Sequence, residues 1–407
     1  MKNVLALTYW SFKEPLTQSA ALPYLKIISK ELPENSRIFL LTLEKKSFSM
    51  TKAEKRKVTE ELASHKITLI RKRYHRFGFM ALLSYPITLT HLIFLCFNNK
   101  IQFIHCFCSP AGVLGYILSR ITEKKLILDS YEPHAESMVE NGSWQLKGLS
   151  YKILFYFEKK QTSKATAVIA LSEGMKKYSL QKYGLVPKEF YFKSTAVDLS
   201  TFKPRSQMEN RILRERLSIQ KDILCIYVGK FGGIYLKDET FQLFKTASTH
   251  WGDAFKIILI TDISRRQVEE LANKYSLNCA NIISFPGPLS QKEVIDYLSI
   301  SDFAINPVKP VPSKRYCSPI KDGEYWAMGL PVILPDNIGD DSDIIRRNGI
   351  GAVLSELDSN EYSNAILTID TLIHPPEKEM IKEKIISIAR KYRDIKNTET
   401  IYRSIYQ

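Results

Sequence analysis

Cysteine is scarce in this 407-residue chain, and the six that occur (Cys96, Cys106, Cys108, Cys225, Cys279 and Cys317) are scattered, with only Cys106 and Cys108 close together. No second Cys or His pair stands at zinc-finger spacing. That excludes a metal-stapled or disulfide-stapled miniature fold and favours a reducing compartment. A secretory leader is also missing from the reading: MKNVLALTYW has one basic residue and turns polar at SFKEPLTQS, so it is expected to form a first buried strand of a cytoplasmic protein. Low-complexity tracts and short-period repeats are absent. So is a GK[ST] P-loop ending. No Asp-x-Asp motif falls at an expected strand end; IGDDSD (338–343) follows the last such strand and is expected to cap a helix. No metal and no tightly bound cofactor are therefore expected.

One long stretch lacks Lys, Arg, Asp and Glu, residues 77–97 (FGFMALLSYPITLTHLIFLCF). Its length would suit a bilayer, but Ser84, Tyr85, Thr88, Thr90 and His91 dilute its apolarity and Pro86 is expected to break or kink it. A buried or interfacial helix is the expectation.

A chain of this length is expected to split into two domains, and its 44% hydrophobic content is that of a globular protein. The 58 Lys and Arg against 43 Asp and Glu leave a formal charge of +15, which attracts polyanions: sugar nucleotides, anionic lipid or nucleic acid. No zinc, RNP-like or basic-helix module accompanies that charge, so nucleic acid is not an expected partner.

Short β-branched runs at residues 4–8, 38–43, 67–70, 101–105, 126–129 and 167–171 alternate with amphipathic segments, the rhythm of a parallel sheet covered on both faces. The rhythm pauses at STAVDLSTFKP. It resumes with strands expected at 223–228, 256–260, 281–284, 303–306 and 331–334, and with helices at 239–250, 264–275, 291–300 and near 322–328. The expected organisation is an α/β fold of two Rossmann-like doubly wound domains facing across a cleft: residues 1–195, a linker 196–205, a second domain 206–375 and a charged helical tail 376–407 packing back across the junction.

Chemistry concentrates in SKRYCSPIKDGEYWAMGLPVILPD (313–336), where a basic loop enters a short helix. A helix N-terminus concentrates unpaired N–H donors, to which Ser318 would add a hydroxyl and Lys321 a full charge. Glu324, one turn on, carries oxygens spaced for the two hydroxyls of a ribose. A second loop, VGKFGGIYLKDE, follows residues 223–228 and carries Gly229, Gly232 and Gly233 around Lys230, which would let backbone approach a phosphate. Taken alone, these are a solvated charged loop and a strand-to-helix turn.

Together with AVIALSEGMKKYSLQKYG (167–184), AVDLSTFKP (196–204) and FPGPLSQKEVIDYLSISDFAINP (285–307), these segments resemble the GT-B glycosyltransferases, specifically the large retaining nucleotide-sugar group. The order Ser/Pro, Lys, Glu-Tyr, Ala-Met-Gly, Pro-Val-Ile in SPIKDGEYWAMGLPVIL (318–334) is the most specific part. The resemblance implies a metal-independent, retaining transferase moving a sugar from a nucleoside-diphosphate sugar, such as a UDP-sugar, to a glycan or lipid-linked acceptor, as in bacterial cell-surface polysaccharide synthesis. It implies a ribose contact at Glu324, diphosphate contacts at Lys230 and Lys321, and a base-side loop at Pro286 and Gly287, with Gly229, Gly232, Gly233, Ser318 and Ile320 completing the donor site. Departures are evident: many relatives carry a second glutamate where this chain has Tyr316, and an N-terminal glycine-rich loop is replaced by EPLTQSAALPY. A sugar-nucleotide epimerase of the same fold or a noncatalytic glycan-binding protein are the alternatives.

On the acceptor side, LILD (126–129) runs into SYEPHAES, placing Glu132 and His134 at a strand's carboxyl end as candidate catalytic residues. Arg71, Lys72, Arg73 and Arg76, just before the uncharged run, suit peripheral contact with an anionic membrane face, as do the Lys, Phe and Tyr residues of KGLSYKILFYFEKKQTSK (147–164).

Overall fold

The computed structural model of the chain describes residues 1–75, 79–374 and 378–407. It divides into two compact units, Met1–Ser194 with Lys396–Gln407, and Thr195–Ile395, so the chain passes between them twice.

The first unit is built on a seven-stranded sheet of β1 (Asn3–Leu7), β2 (Ile38–Glu44), β3 (Ile67–Arg73), β4 (Ile101–Phe107), β5 (Lys125–Tyr131), β6 (Ala167–Ala170) and β7 (Glu189–Phe192), ordered β3-β2-β1-β4-β5-β6-β7. Every pairing is parallel. The sequence explains why: NVLAL of β1 and AVIA of β6 are buried at every position, a run that only a sheet covered on both faces can bury. Parallel strands need crossovers, which helices such as Ser109–Thr122 and Leu149–Lys164 supply.

The second unit carries β8 (Ile223–Val228), β9 (Phe255–Thr261), β10 (Ile282–Pro286), β11 (Phe303–Ile305), β12 (Val332–Pro335) and β13 (Gly351–Leu354), ordered β10-β9-β8-β11-β12-β13. The order reverses between β8 and β11, the point at which doubly wound sheets open a crevice beyond their carboxyl ends. One face of the sheet packs around Trp326, Tyr325 and Met328, the other around Phe241, Phe244 and Tyr362. Helices in this unit start crisply because Ser206, Ser264 and Ser290 each form a reciprocal capping box with the residue three positions on.

Two expectations are corrected. The helix Phe79–Asn98 runs through Pro86 without a break; Pro86 is exposed, where water can replace the one hydrogen bond a proline removes. Among the described residues no helix is long and apolar enough to cross a membrane. The acidic run 338–343 gives no side-chain cap to the helix Asp341–Asn348: its N-cap, Asp340, has helical rather than extended backbone, and Asp341 pairs with the buried Arg393. The charged tail holds two helices, Lys378–Arg393 in the second unit and Glu399–Tyr406 in the first. The boundary expected at 375/376 falls on residues outside those described.

The last helix stays in the first unit through a buried polar network. Lys193 Nζ lies 2.6 Å from Asp129 Oδ1, Tyr402 donates to Asp129 Oδ2 at 2.7 Å, and the Tyr406 hydroxyl meets His105 Nδ1 at 2.7 Å. Burial opposes ionisation of Asp129, but the Lys193 ammonium and the His105 ring outweigh it and hold the carboxyl below its usual range.

Candidate functional site

The constellation read from the sequence gathers at the carboxyl ends of β8, β9 and β10 and at the N-terminus of the helix Ile320–Ala327. The loop after β8 continues the sheet for one residue, with Gly229 N–H donating to Ile260 C=O at 2.8 Å. It then turns tightly: Gly232 and Tyr235 exchange both backbone hydrogen bonds at 3.1 Å. Gly232 and Gly233 have φ of 82° and 62°, a left-handed region that glycine enters at little cost. At Gly229, whose φ of 155° already disfavours a side chain, a methyl group would also stand 2.3 Å from Lys321 Nζ. Lys230 is exposed on this loop, and its carbonyl accepts from the Tyr227 hydroxyl. On the neighbouring strand end, Gly287 N–H donates to Thr261 C=O at 2.8 Å, beside the exposed Pro286.

The helix Ile320–Ala327 has Pro319 before it and no side-chain cap, leaving first-turn amide donors for a ligand or water. Its position is fixed from below, since Trp326 and Tyr325 are fully buried and the Tyr325 hydroxyl accepts from Val228 N–H at 3.1 Å. Lys321 is the unusual member. Its Nζ is buried without a hydrogen-bond partner and lies 3.7 Å from the centre of the Tyr235 ring and 5.1 Å from that of Tyr227. Burial pulls its ammonium down to about 8, against the attraction of Asp322 and Glu324. Burial likewise pushes Glu324 up to about 7, against the pull of Lys321. Two groups of opposite sign, one turn apart, are thus both desolvated and both short of partners, an arrangement that a ligand carrying a diphosphate and a diol would complete.

Ser318 lies two residues before this helix. Its Oγ accepts from Thr195 N–H at 2.9 Å and from Arg393 Nη1 at 2.6 Å, so a single O–H remains for a ligand. Arg393 is fully buried, also holds Thr195 C=O at 2.9 Å and Asp341, and lies 5.3 Å from the Trp326 ring. Burial and Asp341 push Asp322 well above its ordinary value, while Asn306 Nδ2 donates to its Oδ1 at 2.8 Å. Ile320 opens the helix half-buried, and Tyr316 closes the short turn Pro312–Tyr316. Sequence reading missed Tyr235, Tyr227, Thr195 and Arg393, because each acts through a partner on a distant segment.

In the first unit, Glu132 follows β5 and its carbonyl accepts from Ser109 Oγ at 3.0 Å; His134 begins the helix His134–Glu140. Beneath that helix the buried Glu158 accepts from Ala135 N–H at 3.0 Å and from Tyr183 at 3.2 Å, and burial pushes its carboxyl up to about 8. Nothing in the local sequence marks Glu158, whose partner Ala135 is 23 positions away. Arg71, Lys72 and Arg73 end the edge strand β3, with Arg71 and Arg73 exposed; Arg76 lies outside the described residues. Among the described residues, no group of three or more His, Cys, Asp and Glu side chains could hold a metal ion.

Two Rossmann-like units, each with the strand order above, make this chain a two-domain α/β protein of the GT-B fold. Solved GT-B structures align over its whole length. The chain is similar to HepE of Anabaena in complex with UDP, with a TM-score of 0.71 at 13% identity, covering 100% of this chain and 99% of that one; HepE is also solved with UDP-glucose. Sucrose-phosphate synthase of Thermosynechococcus elongatus aligns with a TM-score of 0.71 at 13% identity, covering 100% and 98%. WaaG, a glycosyltransferase involved in lipopolysaccharide biosynthesis, aligns at 0.67 and 15%, covering 100% and 99%. At the level of sequence, no family model and no curated protein matches.

Proposed function

We propose that this protein is a glycosyltransferase that takes a sugar from a nucleoside-diphosphate sugar, with UDP as the leaving nucleotide, and passes it to a glycan or lipid-linked acceptor in bacterial cell-surface polysaccharide synthesis. The observation that carries this reading is the buried Lys321 ammonium without a partner, set beside Glu324 at the uncapped N-terminus of Ile320–Ala327. Glu324 takes the ribose diol. Lys321, Lys230 and the helix amides meet the diphosphate charge, which grows as the bond from the anomeric carbon to phosphate oxygen breaks, so preset electrostatics supply the main catalytic effect. That charge is met here by lysines and amides, in keeping with a metal-independent reaction that needs no further cofactor. The acceptor hydroxyl oxygen bonds to the anomeric carbon as the diphosphate oxygen leaves it, and its proton passes to that released diphosphate oxygen. Glu132 and His134 are the acceptor-side residues, and configuration is retained. The complexes of HepE with UDP and UDP-glucose support the choice of nucleotide.

A cytoplasmic protein touching the membrane face is part of the proposal. The helix Phe79–Asn98 exposes Ile87, Phe94 and Phe97 by 71%, 62% and 57% and carries no charged side chain, and Arg71, Lys72 and Arg73 precede it. Incubation with UDP-sugars, with and without acceptor glycans, tests the activity: transfer needs both, whereas a new sugar nucleotide formed from donor alone would identify an epimerase. Replacing Glu132 or His134 by Ala is expected to lower turnover while sparing nucleotide affinity.

A further inference from the structure

Lys321 has two carboxylates on its own helix, Asp322 and Glu324, yet bonds to neither. What touches its ammonium is aromatic. The Tyr235 ring lies under Nζ at 3.7 Å and the Tyr227 ring at 5.1 Å, both within the range at which a ring face attracts a cation, and most strongly when water is excluded.

Tyr235 is itself held with unusual care for a loop residue. Its backbone closes the turn with Gly232 in both directions at 3.1 Å and bridges Val308 in the segment after β11. Leu236 N–H donates to Pro307 C=O at 2.7 Å, and Lys309 N–H to Ile234 C=O at 2.9 Å. The ring is therefore fixed to the two loops that flank the switch point of the sheet, while Lys321 arrives on a third segment. Tyr227 is braced too, its hydroxyl on Lys230 C=O and its ring 4.8 Å from Phe231.

We infer that Tyr235 is the positioning residue of the diphosphate contact: its ring face holds the Lys321 ammonium inside the site, unbonded to either carboxylate, so that the charge stands ready for an incoming diphosphate. This rests on the donor-site reading above. A lysine has four rotatable bonds and pairs readily with a carboxylate three positions along its helix. With the ring removed, Lys321 is free to turn to Glu324, which would spoil the diphosphate and ribose contacts together. A tyrosine ring serves better than a carboxylate because it attracts the cation without neutralising it, leaving the full charge for the ligand.

The test is calorimetric titration of UDP and of uridine into the parent protein, Tyr235→Leu, Tyr235→Phe and Lys321→Ala, together with the double variant Tyr235→Leu/Lys321→Ala. Expected are a loss of about tenfold in UDP affinity for Tyr235→Leu, a UDP affinity near the parent's for Tyr235→Phe, which keeps the ring face, and no further loss when Tyr235→Leu is added to Lys321→Ala. Uridine binding should fall less than UDP binding in Tyr235→Leu. Equal UDP affinity in Tyr235→Leu and the parent overturns the inference and leaves the donor site standing. So does an additive loss in the double variant, since Tyr235 would then act independently of Lys321. Where Tyr235→Leu does not fold, Tyr235→Met takes its place in the same cycle. A parent protein that binds neither UDP nor another nucleoside diphosphate removes the donor-site reading itself.

Discussion

Each unit of this protein buries a lysine against aromatic rings, and the two are treated in opposite ways. In the first unit Lys193 lies 3.5 Å from the Tyr24 ring and 5.3 Å from the Tyr402 ring, and it also has a carboxylate at 2.6 Å and the Tyr402 hydroxyl at 2.8 Å. In the second, Lys321 has the rings alone. A buried charge whose partners are complete contributes to architecture, here by seating the last helix on β4 and β5. A buried charge left incomplete costs stability, and a fold keeps it where a ligand supplies what is missing. On the proposed function, the contrast sets a structural cation, Lys193, against one proposed to bind a ligand, Lys321.

The largest effect should come from breaking the satisfied lysine. Lys193→Met leaves Asp129 buried without its counter-ion and is expected to cost roughly 3 to 5 kcal/mol, read as a fall in urea midpoint. Lys321→Met, which strands no partner, should cost nothing or raise that midpoint. Equal losses in the two variants would erase the distinction.

Next is the ribose contact. Glu324→Ala should lose roughly 1.5 to 3 kcal/mol of UDP binding, at least tenfold in affinity, because a hydrogen bond to a charged group disappears. Stability near neutral pH should not fall, since a carboxyl held at about 7 by burial gains nothing from ionising there. A drop in both would make Glu324 part of the scaffold.

The acid limb and the alkaline limb of nucleotide binding sharpen the comparison further. The diol contact needs the Glu324 carboxylate, present above about 7, and the diphosphate contact needs the Lys321 ammonium, present below about 8. UDP affinity should therefore peak between those values, falling severalfold on either side. In the free protein Glu324 is raised from 4.5, so the stability it contributes is complete below 4.5 and lost as pH rises through about 7. Lys321 is lowered from 10.5, so its contribution is complete above 10.5 and lost as pH falls through about 8. Titrations across this range in Lys321→Ala should lack the alkaline limb; its persistence would assign the titration to another group.

Ser318→Ala should have the smallest effect. The hydroxyl serves Thr195 and Arg393, so about 1 kcal/mol of stability is expected to go, with UDP affinity changed by less than about threefold. A tenfold loss of UDP affinity at unchanged stability would restore Ser318 to the ligand.

What the sequence reveals of this site is its local part. Lys321 and Glu324 lie one turn apart on one helix, with Ser318 two residues before its start, and the strand rhythm places that helix at a sheet's carboxyl edge. Strands with β-branched runs, such as ILCIYV of β8, are legible for the same reason. The strands β7 (EFYF) and β13 (GAVL) are short and lack such runs, and they are set by pairing with a neighbour that already exists. Arg393 meets Ser318 across 75 positions, and its place in a charged tail marks it as surface until the fold buries it. Tyr235 is similarly silent, since nothing near it in sequence says that a lysine will arrive over its ring.

The most direct test of the central claim is titration of the parent protein and Lys321→Ala with UDP and with uridine at pH 7.5. The account predicts that the parent binds UDP more tightly than uridine, and that Lys321→Ala loses at least about tenfold for UDP while binding uridine as before. UDP affinity unchanged by Lys321→Ala would contradict it.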